Sequence, residues 1–192
     1  IILFPLMYSS GLASFKMHRP GLFVWRAIFV SIGMFAGFSA LTLIPLAQAT
    51  AISFTTPIFV TILAIFIFGE VIKLRRIAAI LVGFIGMLVI VQPGGEVISF
   101  GIILAFVGAF FHSLNLLTVK KLTAYETANS IIVWMVIMLV PISFIPAIFV
   151  WEWPSAITWL YLWCLAICGT IGHSFFTRAY SLAEITSLQP FQ

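Results

Sequence analysis

Long apolar stretches alternate with short polar connections along this chain. No charged residue occurs from Ala27 to Gly69, a stretch about twice the roughly 20 residues that a helix needs to cross a bilayer. The stretch must therefore fold back on itself, and Pro45 marks the turn-like break near its middle. The same reasoning applied to the whole chain predicts six membrane-spanning helices, over residues 22–43, 48–68, 77–92, 99–118, 128–150 and 156–178.

The two ends of the chain continue the apolar pattern. Residues 1–14 resemble the end of an earlier span, and residues 184–192 resemble the start of a later one. The chain begins without Met and stops within an apolar segment, so we expect a piece of a longer protein.

Composition narrows the possible functions. Hydrophobic residues make up 63% of the chain and charged residues 7%, whereas a soluble domain carries about 25% charged residues. These values exclude a soluble enzyme and a nucleic-acid-binding protein. The chain contains no Asp, which excludes a paired-aspartate metal or phosphoryl-transfer site. We expect no metal and no cofactor.

The distribution of basic residues predicts the orientation in the membrane. With the six predicted spans, all nine Lys and Arg residues fall on one side of the bilayer, while the opposite connections hold Glu96 and Glu152 and no basic residue. Basic connections stay on the cytoplasmic side. We therefore expect three cytoplasmic loops, containing Lys16 and Arg19, then Lys73, Arg75 and Arg76, then Lys120 and Lys121.

The predicted span 48–68 carries a polar face. Thr50, Ser53, Pro57 and Thr61 recur at steps of three and four residues, so they share one side of a helix. Pro57 lies near the middle of the span, where it removes a backbone donor and frees the carbonyl of Ser53. This face predicts a solute-binding surface. The alternative is a kink satisfied by neighbouring helices, with the hydroxyls bonded to their own backbone.

Other polar residues inside spans are weaker candidates, since each also has a packing interpretation. His112 and Asn115 could bind a solute or form a structural hydrogen bond between helices. They lie beside a stripe of small residues on span 99–118, from Gly101 to Ser113, which predicts close helix packing. The remaining cavity candidates are Ser39, Thr42, Trp134, His173 and Thr177. Structural roles are expected for Arg26, for the Gly33 and Gly37 pair, and for Glu70 as an ion-pair anchor.

A short motif occurs twice. Leu46-Ala47-Gln48-Ala49-Thr50 is echoed by Leu182-Ala183-Glu184-Ile185-Thr186. Each copy opens an apolar segment, and the predicted topology places the two copies on opposite sides of the membrane. An inverted repeat with an odd number of helices produces this arrangement.

A longer run of motifs resembles a known family. The run begins at Arg26, continues through Ala40-Leu41, Leu46-Ala47-Gln48-Ala49, Pro57-Ile58-Phe59 and Phe68-Gly69-Glu70, and closes with Gly83-Phe84-Ile85-Gly86 and Gln92-Pro93-Gly94. Its order and spacing over residues 16–94 resemble the EamA-type transporters of the drug/metabolite transporter superfamily. Residues from about 99 onward match less sharply, through Ala179-Tyr180-Ser181-Leu182-Ala183 and Pro190-Phe191.

The resemblance implies an all-α bundle of ten helices in two inverted five-helix repeats, with residues 1–94 in the first repeat and 95–192 in the second. This chain would then run from the end of helix two to the start of helix nine. The resemblance also implies a central cavity, lined here by the stretches that hold Ser39, Thr42, Ser53, Pro57, His112, Asn115, His173 and Thr177. The family carries very different solutes, so it indicates no substrate.

The leading hypothesis is a secondary transporter, and not an enzyme, in the inner (plasma) membrane of a bacterium. It would move an amino-acid, nucleoside or drug-like solute by alternating access. No nucleotide-binding loop of the G-x-x-x-x-G-K-[ST] type occurs, so a solute gradient or a coupling ion is expected to drive transport. An integral-membrane lipid-modifying enzyme and a non-transporting structural subunit are the alternatives.

Overall fold

A computed structural model describes residues 17–69, 74–91 and 99–188. Within these ranges every regular element is an α-helix. In chain order the helices are α1 (Pro20–Leu43), α2 (Leu46–Ser53), α3 (Thr56–Phe68), α4 (Leu74–Val91), α5 (Phe100–Leu122), α6 (Ala128–Phe149), α7 (Ala156–Leu182) and α8 (Ile185–Leu188). Residues 1–14, predicted to end an earlier span, lie outside the described residues.

Most of the predicted spans are found as helical segments long and apolar enough to cross a membrane. Within the described ranges five segments meet this criterion, namely Pro20–Leu43, Leu46–Phe68, Phe100–Leu122, Ala128–Phe149 and Ala156–Leu182. They correspond to five of the six predicted spans. The remaining predicted span, 77–92, corresponds to α4, whose apolar part, Ile80–Val89, is shorter than the other five segments. The chain is therefore an all-α, multi-pass membrane protein.

The predicted span 48–68 is two helices, with a break at Phe54 and Thr55. Pro57 lies in the first turn of α3, where a missing backbone N–H has no cost. Because Pro57 has no N–H for the Ser53 carbonyl, the helix stops at Ser53. The break therefore lies directly after Ser53, the residue whose carbonyl Pro57 is expected to free. Downstream, Gly69 ends α3 with a left-handed φ of 66°, a conformation that favours glycine.

The described residues pack as two compact units. Unit 1 contains the residues up to Ala27 together with Val119–Ala183, and unit 2 contains Ile28–Thr118 together with the residues from Glu184 onward. These units interleave along the sequence, whereas the predicted repeats are consecutive. The division into repeats at residue 94 stays a prediction.

Unit 2 has a core of small and aliphatic side chains. The core is formed by α1, α2, α4 and α5, where α2 packs against α4, and it contains Ala40, Ile44, Ala51, Ile52, Met87 and Ala105. The short helix α8, which begins at the second copy of the repeated motif, packs against α3. Each copy of the motif thus lies at the start of a helix of unit 2. The first copy begins α2, and the second copy leads into α8.

The backbones of α1 and α5 approach closely within unit 2. A Cβ atom added to Gly108 would lie 3.1 Å from the backbone nitrogen of Gly37, and one added to Gly33 would lie 3.3 Å from that of His112. On the same helix α5, Gly101, Ala105, Ala109 and Ser113 are buried, which confirms the packing role predicted for the small-residue stripe.

Replacing Gly108 should destabilise unit 2. The side chain of Gly108→Leu has no room beside Gly37, so the two helices must separate, at a cost of about 1–3 kcal/mol. Gly83→Leu is the matched control, because nothing lies within 4 Å of a Cβ at Gly83. Thermal unfolding of the purified full-length protein measures both variants. Equal melting temperatures for Gly108→Leu and the wild type would contradict the close approach.

Candidate functional site

The polar face of α2 and α3 lies in unit 2. Thr50 and Ser53 are exposed, and Thr61 is buried. The Thr50 hydroxyl donates to the carbonyl oxygens of Leu46 and Ala47, each at 2.9 Å, and the Ser53 hydroxyl donates to Thr50 at 2.6 Å. Both hydroxyl donors therefore bind carbonyl oxygens of their own helix, as the alternative to a solute-binding surface predicts. The hydroxyl oxygens of Thr50 and Ser53 keep acceptor capacity for a solute.

Unit 2 also holds the candidates on α1 and α5. Ser39 and Thr42 are exposed, and the Thr42 hydroxyl donates to the Ser39 carbonyl at 2.8 Å. On α5, His112 is exposed and Asn115 is buried. Gly33 lies against the backbone of His112, so close packing fixes the position of the helix turn that carries this imidazole.

The other candidates lie in unit 1. His173 is exposed and Thr177 buried on α7, and Trp134 is half-buried on α6. The Trp134 ring lies 6.4 Å from that of Phe23 between ring centroids. Arg26 is buried on α1, and its guanidinium donates to the Ile131 carbonyl at 2.7 Å. This contact holds the start of α1 against α6.

The candidates thus form two sets. Unit 2 contains Ser39, Thr42, Thr50, Ser53, Pro57, Thr61, His112 and Asn115, and unit 1 contains Arg26, Trp134, His173 and Thr177. Glu70 and Lys73 lie outside the described residues, as do the side chains of Arg75 and Arg76, so the predicted ion-pair anchor stays a prediction. Among the described residues no cluster of His, Cys, Asp or Glu could hold a metal ion.

Sequence reasoning missed Glu126, a buried carboxylate between α5 and α6. Only 8% of Glu126 is exposed, and its carboxylate accepts hydrogen bonds from the backbone N–H groups of His18 and Arg19, at 2.5 and 3.2 Å. The His18 imidazole Nδ1 lies 3.2 Å from the second oxygen. A carboxylate at this position caps the start of α1, where unpaired N–H groups point outward. One acidic residue in an otherwise basic connection was the available signal.

Lys120 has a comparable role at the end of α7. Its ammonium donates to the carbonyl oxygens of Tyr180 and Ala183, at 2.8 and 2.5 Å. The carbonyl end of a helix attracts a positive charge, so this bond fixes the end of α7. From the sequence, Lys120 was counted only as a marker of orientation.

The chain is similar to known transporters over nearly its whole length. Residues 1–92 match the EamA-like transporter family. A riboflavin transporter of Rhizobium johnstonii is 29% identical over 188 residues, covering 97% of this chain and 62% of the relative. An S-adenosylmethionine uptake transporter of Rickettsia prowazekii is 29% identical over 192 residues, covering 100% of this chain and 65% of the relative. No solved structure matches the chain significantly.

The resemblance inferred from the motifs is therefore confirmed by the match of residues 1–92 to the EamA-like transporter family. The relatives that align along the whole chain are named as transporters. The chain spans less than two thirds of the length of these relatives, at 62% and 65%.

Removing the Glu126 carboxylate should destabilise unit 1. Glu126→Ala leaves two N–H groups at the start of α1 without their acceptor, which costs about 1–3 kcal/mol. Glu152→Ala is the matched control, because Glu152 is exposed. Thermal unfolding of the full-length protein compares the two variants. An unchanged melting temperature for Glu126→Ala would show that the cap contributes nothing.

Proposed function

We propose that the full-length protein is a secondary transporter that moves a small metabolite across the bacterial inner membrane by alternating access. The observation that carries the proposal is the alignment of the whole chain with transporters of riboflavin and of S-adenosylmethionine. The apolar, multi-pass architecture supports it. The enzyme and structural-subunit alternatives have no comparable support in the relatives.

The relatives' names also refine the expected solute. Riboflavin and S-adenosylmethionine are both polar molecules with a heteroaromatic ring, which favours a nucleoside-like solute over a simple amino acid. We propose that either solute, or one of similar size and polarity, is carried by this protein. Its movement would be driven by its own gradient or by a coupled ion.

The break between α2 and α3 supports a binding role for this part of unit 2. Non-helical backbone inside a membrane span is tolerated where it lines a cavity or contacts protein, and interrupted helices frequently form transporter binding sites. Ser53 and Thr56 flank the break. We therefore propose that the exposed hydroxyls of Thr50 and Ser53 offer acceptor oxygens to the solute.

Transport is tested with the full-length protein in proteoliposomes. We expect counterflow of radiolabelled riboflavin or S-adenosylmethionine above the level of protein-free vesicles. Failure of a broad metabolite panel to move, combined with chemical change of a lipid headgroup, would favour the enzyme alternative.

Two substitutions test the proposed polar surface. Ser53→Leu and His112→Leu should each abolish uptake without lowering membrane insertion, because they replace candidate solute-binding groups with bulky apolar ones. Phe66→Leu is the control, since Phe66 is 81% exposed and lies on an apolar surface. Uptake per inserted molecule is the measurement, and normal uptake in both variants removes these residues from the site.

The orientation is tested by labelling. We expect single cysteines at Lys121 and Glu152, in a variant with Cys164 and Cys168 replaced by Ala, to react with an impermeant reagent from opposite faces of the membrane. The reason is that Lys121 belongs to a basic connection and Glu152 to one without Lys or Arg. Labelling of both from the same face of intact cells would overturn the topology.

A further inference from the structure

Arg26 places a guanidinium inside the membrane-spanning helix α1, where only 3% of the residue is exposed. A buried ionisable side chain within a membrane-spanning helix is costly, and such residues commonly mark substrate pathways. A guanidinium has five N–H donors and no acceptor. One donor, on Nη1, is used by the Ile131 carbonyl.

A second contact of Arg26 involves a poor acceptor. The Nη2 atom lies 3.1 Å from the Sδ atom of Met135, and a thioether sulfur accepts hydrogen bonds only weakly. An oxygen, above all a charged one, would bind the same donor more strongly. The contact with Met135 therefore holds Nη2 in a position where an oxygen could replace the sulfur.

Trp134 lies on α6 between these two partners of Arg26. Its ring packs against Phe23, which precedes Arg26 by one turn of α1. Its indole Nε1–H is buried and has no hydrogen-bond partner among the described residues. Buried donors rarely lack an acceptor, and one explanation of an exception is a site that another molecule completes.

Two polar side chains of α7 belong to the same unit. His173 and Thr177 lie one turn apart on α7, and Thr177 is buried. The start of α1 and the first half of α6 thus bring two hydrogen-bond donors, the Arg26 guanidinium and the Trp134 indole N–H, into one unit. An acceptor-only group fits such an arrangement best.

We propose that Arg26 and the Trp134 indole N–H bind a carboxylate of the transported solute, which rests on the proposed transport function. A carboxylate has two acceptor oxygens and a negative charge. One oxygen accepts from Nη2 of Arg26 in place of the Met135 sulfur, and the other accepts from Nε1 of Trp134. Of the two solutes named above, S-adenosylmethionine carries a carboxylate and riboflavin does not.

Binding to the purified full-length protein tests the proposal. The probes are S-adenosylmethionine and other carboxylate-bearing metabolites, each paired with its decarboxylated or amide analogue, and riboflavin. We expect each bound carboxylate to bind about tenfold more tightly than its analogue. Binding of no carboxylate, or equal binding of a carboxylate and its analogue, overturns the proposal.

The central variant is Trp134→Phe, which keeps an aromatic ring against Phe23 and removes only the N–H. We expect it to weaken carboxylate binding about tenfold and to leave the binding of the analogues unchanged. Trp163→Phe is the matched control, since Trp163 is 42% exposed on α7, and it should bind as the wild type does. Carboxylate binding by Trp134→Phe that equals that of Trp163→Phe overturns the proposal.

Arg26 variants add a test of the charge. Arg26→Lys should retain part of the preference for carboxylates and Arg26→Gln should lose it, with thermal unfolding used to select correctly folded protein, because Arg26 also holds Ile131. Uptake in proteoliposomes separates the two proposals. Carboxylate binding without transport of any solute refutes the proposed function alone, whereas transport with unchanged carboxylate binding in Trp134→Phe refutes this inference alone.

Discussion

The structure depends on one constraint, the absence of water inside the bilayer to bind backbone N–H and C=O groups. Every described segment satisfies this constraint with helices, and the hydroxyls of Thr42, Thr50 and Ser53 turn back onto carbonyls of their own helix. Such a chain can leave the helical path only where another group takes over the backbone hydrogen bonds. The break between α2 and α3 is the exception inside a span, and Pro57 causes it by lacking one donor.

The same constraint explains how charges are placed. The carboxylate of Glu126 and the ammonium of Lys120 each lie at a helix end, where backbone groups of the matching polarity have no partner within the helix. Arg26 differs, because its charge lies within a helix and contacts a carbonyl and a sulfur of α6. A charge at a helix end stabilises the fold by pairing with free backbone groups. Burying a charge within a span costs more free energy, so such a residue is a stronger candidate for a binding role.

The membrane-spanning helices could be predicted from the sequence, because the thickness of the bilayer sets the length of an apolar span. The sequence was also sufficient for the break at Pro45 and for the close packing of α5, since Pro and Gly act locally. It also identified the Ser53 carbonyl as the group that Pro57 leaves without a donor, and the helix ends at that residue. It missed Glu126, since the partners of this carboxylate lie more than 100 residues away. It named Trp134 as a candidate but did not indicate that its indole N–H is buried without a partner among the described residues.

The connection between α5 and α6 has a mechanical consequence. Lys120 just before it holds the last carbonyls of α7, and Glu126 within it holds the first N–H groups of α1. Charge-assisted hydrogen bonds thus connect the α5–α6 region to the start of α1 and to the end of α7. These bonds stiffen one end of unit 1, so we expect its helices to bend more easily toward the opposite end, where Pro141 and Pro146 each remove a backbone donor from α6.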